Sequence, residues 1–293
     1  MNNKCQTYCG YITIFGKTNV GKSSLLNQLI GDKISITSSK PHTTIHPIIG
    51  IHTEGSYQAI YIDTPGFSTK NIKDLHPFMN FRSSYISNVA LVLFMVGGTS
   101  WTKDDEIILK VLRNNTVPVL LIINKIDTIA NKSKLLPYMK FLMNQMEFQD
   151  IIPTSAKKGY NIDVIVNIIH KYLPLKAHQF PKNKVTDKSK YFRVSEIIRE
   201  KLINILGAEV PYFVKVKIEQ ITFNKLGHYN IDVLILVKRL AHKKIIIGSK
   251  GSKIKEIGIK SRKDIQMMLK TPVHLKLWVK IKINLDNNSL ISL

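Results

Sequence analysis

The feature that most restricts the fold of this chain is an eight-residue stretch, Gly16–Ser23, with glycine at its first and sixth positions and Lys-Ser at its end. The preceding residues, Tyr11–Phe15, are β-branched and aromatic enough for a buried strand, and Ser24–Ile30 carries apolar residues at helical spacing. Strand, glycine turn and helix in this order are typical of a phosphate-binding loop (P-loop). The stretch therefore predicts an α/β domain with a nucleoside triphosphate site.

Each residue type in the P-loop suits a phosphate ligand. The glycines let the backbone bend so that successive N–H groups and the following helix N-terminus face anionic oxygens. Lys22 can reach the β- and γ-phosphates, where it serves binding and catalysis, and the Ser23 hydroxyl can ligate Mg²⁺. The alternative, a chance match in a surface turn, is opposed by the motifs further along the chain. The predicted nucleotide-binding residues here are Gly16, Asn19, Val20, Gly21, Lys22, Ser23 and Ser24.

A second candidate segment, Asp63–Gly66, follows the predicted strand Tyr57–Ile62. An aspartate at the end of a strand beside a P-loop holds Mg²⁺, usually through water. The backbone N–H of Gly66 can contact the γ-phosphate and so take part in catalysis. Taken alone, Asp-x-Pro-Gly is most often a plain turn. With the P-loop before it, we predict that the site includes Asp63, Thr64, Pro65 and Gly66.

The base is specified by Asn124–Asp127, which ends the apolar run Val117–Ile123. The Asp127 carboxylate can accept from both N1–H and the 2-amino group of guanine, whereas adenine would leave the charge unpaired. We expect Asn124 to brace the loop and contact the base edge, and Lys125 to lie along the ring. The segment therefore favours a guanine nucleotide.

The last nucleotide motif is Ser155-Ala156-Lys157, with the Ala156 backbone N–H placed for guanine O6. Strands and helices alternate between these motifs, so we expect a mostly parallel sheet with helices on both faces and the ligand at the carboxyl ends of the strands. The ordered set predicts a GTPase that binds GTP or GDP with Mg²⁺.

In a GTPase the polar, proline-containing loop Ile34–Ile45 would be a mobile switch that responds to the γ-phosphate. One of its two adjacent threonines would complete the Mg²⁺ shell formed with Ser23 and Asp63. We favour Thr44 over Thr43 for this ligand and for a catalytic role.

Phe67 stands where Ras-like enzymes place the glutamine that orients the attacking water. A phenyl ring cannot orient water. Hydrolysis must rely on another group or on a monovalent cation such as K⁺, or be slow without a partner. Asn19 is the candidate for holding the cation, and a local loop hydrogen bond is an equally open role for its side chain.

Charge is distributed unevenly along the 293 residues. The chain has 43 basic and 20 acidic residues, a net charge of +23, and residues 175–293 contain 25 of the basic and 9 of the acidic ones. The C-terminal part is therefore expected to bind a polyanion, although a lysine-rich composition is the alternative. Because Pro174–Lys190 contains two prolines and no periodicity, we predict domains at 1–174 and 191–293 with a linker at 175–190.

The second domain has the pattern of an RNA-binding KH module. A helix at Phe192–Leu206 and strands at Tyr212–Ile221 and Tyr229–Lys238 precede an apolar run, a Gly-x-x-Gly turn and a basic helix. Such a turn clamps a single-stranded backbone. A helix at Lys260–Leu269 and a strand at Val273–Ile283 complete an α-β-β-α-α-β order, which resembles a type II KH domain. The predicted RNA-binding residues are Ile246, Ile247, Gly248, Ser249, Lys250, Gly251, Lys253 and Ile254.

Three lysines of the last strand, Lys276, Lys280 and Lys282, would share one face because strand residues alternate. The alternative to an RNA-binding role is a solvated edge that prevents strand pairing between molecules.

From about Ile12 to Asp286 the chain resembles the Era family of bacterial ribosome-assembly GTPases. The P-loop, the Asp63–Gly66 and Asn124–Asp127 segments and many other positions are shared with numerous P-loop proteins, whereas the C-terminal KH module is far more specific. Further segments that carry the resemblance are Pro41-His42-Thr43-Thr44, Trp101-Thr102, Asp104-Asp105-Glu106, Val185-Thr186-Asp187, Glu196–Leu202, Val210-Pro211-Tyr212, Ile247–Gly251 and Lys276–Lys280.

The resemblance implies binding to the 3′ end of 16S rRNA and to the 30S subunit, and a role in small-subunit assembly with GTP favouring the RNA-binding state. It also implies a loose association with the inner membrane. The sequence itself predicts a cytoplasmic protein, because the N-terminal region forms the first strand rather than a signal peptide and the two cysteines fit a reducing compartment, and we expect a monomer. Three features depart from the family: Thr18 in place of proline, Ile45 in place of arginine, and the segment Ser68–Asp74. Two alternatives stay open at this point, a nucleotide-binding RNA binder that has lost hydrolysis and a GTPase that acts on membranes or tRNA.

Overall fold

The computed structural model describes residues 6–37, 47–69, 89–114, 116–206 and 214–282, and the chain forms two compact units that divide between Asp187 and Lys188. Within these residues no helix is both long and apolar enough to span a bilayer. The elements of the first unit are β1 (Tyr8–Gly16), α1 (Lys22–Ile30), β2 (Ile48–Glu54), β3 (Tyr57–Asp63), β4 (Val89–Gly97), α2 (Lys103–Arg113), β5 (Val119–Asn124), α3 (Leu135–Met143), β6 (Asp150–Pro153) and α4 (Ile162–Tyr172).

Six strands of the first unit form one sheet in the order β2-β3-β1-β4-β5-β6. Strand β2 pairs antiparallel with β3, and the other four pairings are parallel. Parallel strands end at the same edge, so Gly16, Asp63 and Asn124, the last residues of β1, β3 and β5, lie along one edge of the sheet. The predicted motifs therefore meet at the carboxyl ends of the strands.

Helices cover both faces of this sheet. Leu26 of α1 and Ile165 of α4 belong to one buried cluster, and Leu109 of α2 and Leu142 of α3 belong to the other. The interior strand β5 is buried along its whole length, as expected for a strand covered on both faces. The predicted mostly parallel sheet with helices on both faces is confirmed.

Strand β2, helix α3 and the short strand β6 were not predicted. Strand β2 contains Gly50, where a Cβ would lie 2.1 Å from Ile30 Cδ1, so this glycine lets the side chains of α1 pack closely against the strand. Helix α3 carries Pro137 in its first turn, a position where proline is tolerated because its missing N–H has no helical acceptor there.

Most of the predicted linker is bound to the first unit. The Gln58 side-chain oxygen accepts from the backbone N–H groups of Gln179 (2.7 Å) and Phe180 (3.0 Å). Thr186 Oγ1 donates to the Ile49 carbonyl at 2.6 Å. The lack of sequence periodicity after Pro174 therefore reflects an extended segment held by side chains as far as Asp187 rather than a free tether.

The second unit consists of α5 (Lys190–Ile205), β7 (Val214–Phe223), β8 (Tyr229–Val237), α6 (Leu240–Ile247), α7 (Ser252–Leu269) and β9 (Val273–Ile281). Its sheet has the order β7-β8-β9, with β7 antiparallel and β9 parallel to β8. All three helices contribute to one core with the inward residues of the strands, such as Val194, Ile246, Ile257 and Val233. The sheet therefore has a helix-covered face and an opposite face, and the predicted α+β module is confirmed.

The helices of this unit differ in detail from the prediction. The apolar run before the Gly-x-x-Gly turn is itself part of a helix, α6, and the basic helix continues without a break to Leu269 as α7. Gly258 in α7 does not end the helix, because an interior glycine costs only about 1 kcal/mol and the rest of the segment forms helix readily.

Candidate functional site

The P-loop backbone has the conformation that its glycines were predicted to allow. Gly21 has φ 103°, and a Cβ there would lie 2.3 Å from Asn124 Nδ2. A Cβ on Gly16 would lie 2.5 Å from the Met95 carbonyl oxygen. No side chain caps α1 at Gly21, and its first turn contains no acidic residue. The N-terminus of α1 is therefore suited to an anion.

Lys22 is almost completely buried at the mouth of this loop. Its Nζ donates to the carbonyl oxygens of Gly16 and Lys17, both at 3.0 Å. Burial lowers the pKa of Lys22 to about 8, and attraction to Asp63 opposes this shift. The ammonium group is thus poorly solvated in the protein, which favours its pairing with phosphate oxygens.

Asp63 lies at the centre of the candidate metal site. Its Oδ2 accepts from Ser23 Oγ at 2.8 Å and from Ser35 Oγ at 2.9 Å. Its buried Oδ1 has no hydrogen-bond partner among the described residues. Burial raises the pKa of Asp63, and Lys22, Ser23 and Ser35 oppose the rise. A carboxylate oxygen without a partner beside a serine hydroxyl fits Mg²⁺, which prefers oxygen ligands.

Asn27 fixes the start of the predicted switch loop to α1. Its Oδ1 accepts from the backbone N–H groups of Ile34 and Ser35, both at 3.0 Å, and its Nδ2 donates to the Ser35 carbonyl at 2.9 Å. Ile34, Ser35 and Ile36 are all buried. The first three residues of the predicted mobile loop are therefore packed against α1, and the mobility of the loop stays a prediction. Thr43, Thr44 and Ile45 lie outside the described residues, and the role of Thr44 stays a prediction.

Gly66 and Phe67 lie against the P-loop. A Cβ on Gly66 would be 2.7 Å from Thr18 Cα and 3.0 Å from Lys22 Nζ, so only glycine fits. Phe67 exchanges backbone hydrogen bonds with the loop, donating to the Gly16 carbonyl (3.3 Å) and accepting from Thr18 N–H (3.0 Å). Its side chain is buried in the cluster formed with α2. The phenyl ring thus holds the segment against α2, while the Gly66 backbone lies beside Lys22.

Thr64 Oγ1 donates to the Ile14 carbonyl at 2.8 Å and fixes the preceding turn.

Asn124 connects the two halves of the base site. Its Nδ2 donates to the Val20 carbonyl at 2.7 Å, and its Oδ1 accepts from the Ala156 backbone N–H at 2.9 Å. The predicted bracing role is therefore visible. The Ala156 N–H differs from the prediction, because it is directed at this amide rather than outward for guanine O6, and Ala156 is buried.

Asp127 and Lys125 are exposed at the rim. Ser155 Oγ donates to Asp127 Oδ1 at 2.6 Å, and this bond lowers the pKa of Asp127, helped by the charges of Lys157 and Lys158 and opposed by desolvation. Lys125 has φ 65° and its Nζ donates to the Asn19 carbonyl. An ionised, oriented carboxylate at this position can accept two hydrogen bonds from guanine.

The Gly-x-x-Gly turn of the second unit has an unusual backbone. Gly248, Lys250 and Gly251 have φ of 75°, 48° and 78°, respectively. A Cβ on Gly248 would lie 3.0 Å from the Lys253 backbone nitrogen, whereas Gly251 faces open space. Lys250 and Ser249 are exposed. The turn thus presents backbone and charge to the outside while α7 begins directly after it.

The predicted apolar groove needs one correction. Ile246 is completely buried in the core of the second unit, whereas Ile247 and Ile254 are partly exposed. Consecutive residues on a helix point about 100° apart, so only one of the three successive isoleucines of α6 can face the core. Ile246 is therefore a core residue, and Ile247 and Ile254 keep the predicted position beside the turn.

Comparison with known proteins decides the family. Residues 11–125 match the family model described as 50S ribosome-binding GTPase, and residues 209–284 match the KH domain model. GTPase Era of Yersinia enterocolitica is 55% identical over 278 residues, which is 94% of this chain and 92% of the relative. GTPase Era of Cronobacter sakazakii is 54% identical over 281 residues, covering 96% and 93%.

The chain belongs to the Era family.

Solved structures of Era agree with this assignment. A crystal structure of a point variant of Aquifex aeolicus Era bound to GDP·AlF4⁻ and a crystal structure of Era with MgGDPNP and nucleotides 1506–1542 of 16S ribosomal RNA each match with a TM-score of 0.84 and 37% identity. Each match covers 94% of both chains. The predicted Era-type GTPase with a KH domain is confirmed, and guanine nucleotide with Mg²⁺ is the ligand that the family supports.

Sequence reasoning missed two polar residues of this Era-family site. Ser35 donates to Asp63, and Asn27 holds Ser35 in place. Neither belongs to a motif, because Asn27 occupies an ordinary helical position and Ser35 lies in a stretch of mixed polarity. Their roles depend on the contact between α1 and the following segment, which no local pattern reveals.

Proposed function

We propose that this chain binds and hydrolyses GTP in order to control its binding to the 3′ end of 16S rRNA on the 30S subunit, and that it acts in small-subunit assembly. The observation that carries the proposal is the match to Era in complex with MgGDPNP and nucleotides 1506–1542 of 16S ribosomal RNA over 94% of the chain. The basic KH unit with its exposed Lys250 supports it. The proposal includes a monomer in the cytoplasm, with a loose contact to the inner membrane.

The site residues have separate tasks in this proposal. Lys22 would exchange its bonds to the Gly16 and Lys17 carbonyls for phosphate oxygens, and the N–H of Gly66 would contact the γ-phosphate. Ser23, Asp63 and Thr44 would hold Mg²⁺, which neutralises charge on the β- and γ-phosphates when it is bound.

Orientation of the attacking water needs a group other than Phe67, whose side chain is buried. We propose that hydrolysis relies on K⁺, which Asn19, an exposed residue with φ 63°, would help to hold and which would supply positive charge beside the phosphates. GTP turnover should then be faster in K⁺ than in Na⁺, and Asn19→Ala should remove the difference. Equal turnover of the unchanged protein in both salts would eliminate the K⁺ assignment without affecting GTP binding.

RNA binding is tested by a pair of glycine variants. The Gly-x-x-Gly turn, Gly248–Gly251, is called the clamp below. Gly251→Asp places a carboxylate in this clamp, where it repels phosphate. Gly227→Asp is its matched control, because Gly227 has φ 77° against 78° for Gly251 and both positions face open space. The left-handed φ, the open surroundings and the added charge are therefore matched, and the two variants differ in their location.

The measurement is co-sedimentation of each variant with 30S subunits in the presence of GDPNP or GDP. We expect the unchanged protein and Gly227→Asp to bind with GDPNP and Gly251→Asp to lose about tenfold or more in affinity. Equal loss in both variants would contradict the assignment of the clamp. Crosslinks confined to tRNA instead of 16S rRNA would favour a tRNA-acting GTPase.

A further inference from the structure

The face of the second-unit sheet opposite its helices has an ordered arrangement of side chains. Strand register places Lys215, Leu236 and Lys280 side by side in one row across β7, β8 and β9. The next row contains Lys217, Leu234 and Trp278. These six residues are called the outer sheet face below. None of them belongs to the helix-covered core cluster.

Exposure and charge set this outer sheet face apart. Lys217 and Lys280 are exposed, and Trp278 is 43% exposed although it is a large aromatic residue. Leu234 and Leu236, between the two lysine-bearing strands, are 7% exposed. Adjacent strands lie about 4.8 Å apart, so the lysines of β7 and β9 are separated by about 10 Å across a leucine floor. The nearest acidic residues adjoin this outer sheet face: Asp232 pairs with Gln220 and Lys276 in the next row, and Glu219 lies at the register shift between Ile218 and Gln220. Lys276 offsets the charge of Asp232, so the outer sheet face keeps its excess of lysines.

The outer sheet face begins at the same end of the sheet as the Gly-x-x-Gly turn. A Cβ on Gly258 of α7 would lie 3.6 Å from Leu277 Cδ1 of β9, and only residues 270–272 join the two elements, so α7 and β9 run antiparallel. Gly251 precedes Gly258 by seven residues, about 10 Å along a helix. A distance of about 10 Å along β9 corresponds to about three residues, which leads from Leu277 to Lys280. Lys280 therefore lies at about the same level of the sheet as Gly251.

We propose that the outer sheet face is a second RNA-binding surface, which takes single-stranded RNA that continues past the turn and around the edge strand β9. The proposal rests on the proposed function, because the RNA that reaches the outer sheet face is the RNA bound at the Gly-x-x-Gly turn. Lys217 and Lys280 would contact phosphates and Trp278 would stack on a base, a combination typical of single-strand binding. Continuity with the turn favours RNA over an acidic protein as the occupant.

Binding to the outer sheet face and binding to the clamp can be distinguished with RNAs of different length. A KH turn holds about four nucleotides, so a single-stranded RNA of about four nucleotides occupies only the clamp, whereas one of about twelve reaches the outer sheet face. The variant is Lys217→Gln combined with Lys280→Gln, which removes two charges and keeps side-chain length. The matched control is Lys225→Gln with Lys270→Gln, two exposed lysines at the opposite end of the sheet.

Affinity would be measured by fluorescence anisotropy as a function of salt, with the full chain and both RNA lengths. We expect the Lys217/Lys280 variant to bind the long RNA about tenfold more weakly and to reduce its salt slope by about 1.4, the value for two phosphate contacts on a single strand. Its affinity for the short RNA should change by less than about twofold. Trp278→Leu should weaken only the long RNA, by about fivefold or more. The control pair should change neither RNA by more than about twofold.

Three results would overturn the second surface: unchanged binding of the long RNA, equal loss with both RNA lengths, or equal loss in the control pair. The clamp itself is tested separately by the short RNA with Gly251→Asp. If that variant binds the short RNA normally, the proposed function fails. If it loses the short RNA while the Lys217/Lys280 variant keeps the long one, only the second surface is excluded.

Discussion

Lys17 Nζ lies 2.7 Å from Asp105 Oδ2, an ion pair that joins the P-loop to the first turn of α2. The Asp105 side chain is completely buried, and its Oδ2 also accepts from Thr102 N–H at 2.9 Å and Thr102 Oγ1 at 2.7 Å. The neighbouring Asp104 accepts from Thr69 N–H at 3.1 Å. The N-terminus of α2 therefore holds both the P-loop and the segment that follows Gly66.

Removal of one partner of this pair should be costly. Lys17→Met leaves a buried carboxylate without its counter-ion, and we expect a loss of about 3 kcal/mol in the free energy of unfolding of the first unit. The Lys17→Met/Asp105→Asn double variant should be less destabilised than the sum of the single variants by about 1 kcal/mol or more. Urea unfolding followed by Trp101 fluorescence in a Trp278→Phe background would report the first unit alone, since the chain has two tryptophans. Strict additivity would contradict the coupling.

Phe67 should affect stability and leave hydrolysis almost unchanged. Phe67→Leu keeps an apolar side chain in the α2 cluster, so we expect a loss of about 1 kcal/mol in stability and single-turnover GTP cleavage within about twofold of the unchanged protein. Phe67→Gln buries an amide in this cluster and should lose about 2 kcal/mol or more. A Phe67→Gln variant that is fully stable and hydrolyses GTP much faster would show that position 67 is directed at the nucleotide.

The bond from Ser155 to Asp127 predicts a dependence on pH. The pKa of Asp127 is lowered, so its carboxylate contributes above the ordinary value for an aspartate and is lost only as the pH falls through the lowered value. We expect the contribution of Asp127 to GDP affinity to be constant from about pH 8 to about pH 5. It is read as the ratio of the affinities of the unchanged protein and the Ser155→Ala variant, because titration of Lys22 and of the GDP phosphates affects both proteins alike. Ser155→Ala should bind GDP about tenfold more weakly and should lose affinity at a higher pH on acidification, because the pKa of Asp127 rises.

Ser133→Ala is the control for this measurement. Ser133 Oγ donates to Asn131 Oδ1 at 2.6 Å, the same length as the Ser155 bond, but it lies outside the base site. Calorimetric titration with GDP across the pH range should show no change for Ser133→Ala. Identical pH profiles for Ser155→Ala and the unchanged protein would contradict the role of the Ser155 hydroxyl.

The sequence predicts those features that depend on residues close together in the chain, and it does not predict those that depend on contacts between distant segments. The strand, turn and helix around Gly21, and the aspartates at strand ends, are local patterns, and they placed Lys22, Asp63 and Asn124 at one sheet edge correctly. Contacts between distant segments had no local signal. The partner of Lys17 lies 88 residues away, and the close packing at Gly50 arises from the approach of α1.

Three successive isoleucines gave no means of deciding which one is buried. The pattern of Ile245–Ile247 is apolar at every position, so the core role of Ile246 became visible only when the helix phase was known. In the same way, the segment after Pro174 has no periodicity because its binding to the first unit depends on Gln58 and on its own backbone.

The most direct test of the account is a change of base specificity at Asp127. Asn in its place cannot accept from both N1–H and the 2-amino group of guanine, because one of its two polar groups is a donor. The Asn oxygen can accept from N1–H of xanthine while its NH₂ group donates to the oxygen at C2. We predict that Asp127→Asn cleaves XTP at a rate within about tenfold of GTP cleavage by the unchanged protein and prefers XTP over GTP by about 100-fold or more. A variant that still prefers GTP would contradict the assignment of the first unit as a site in which Asp127 reads guanine.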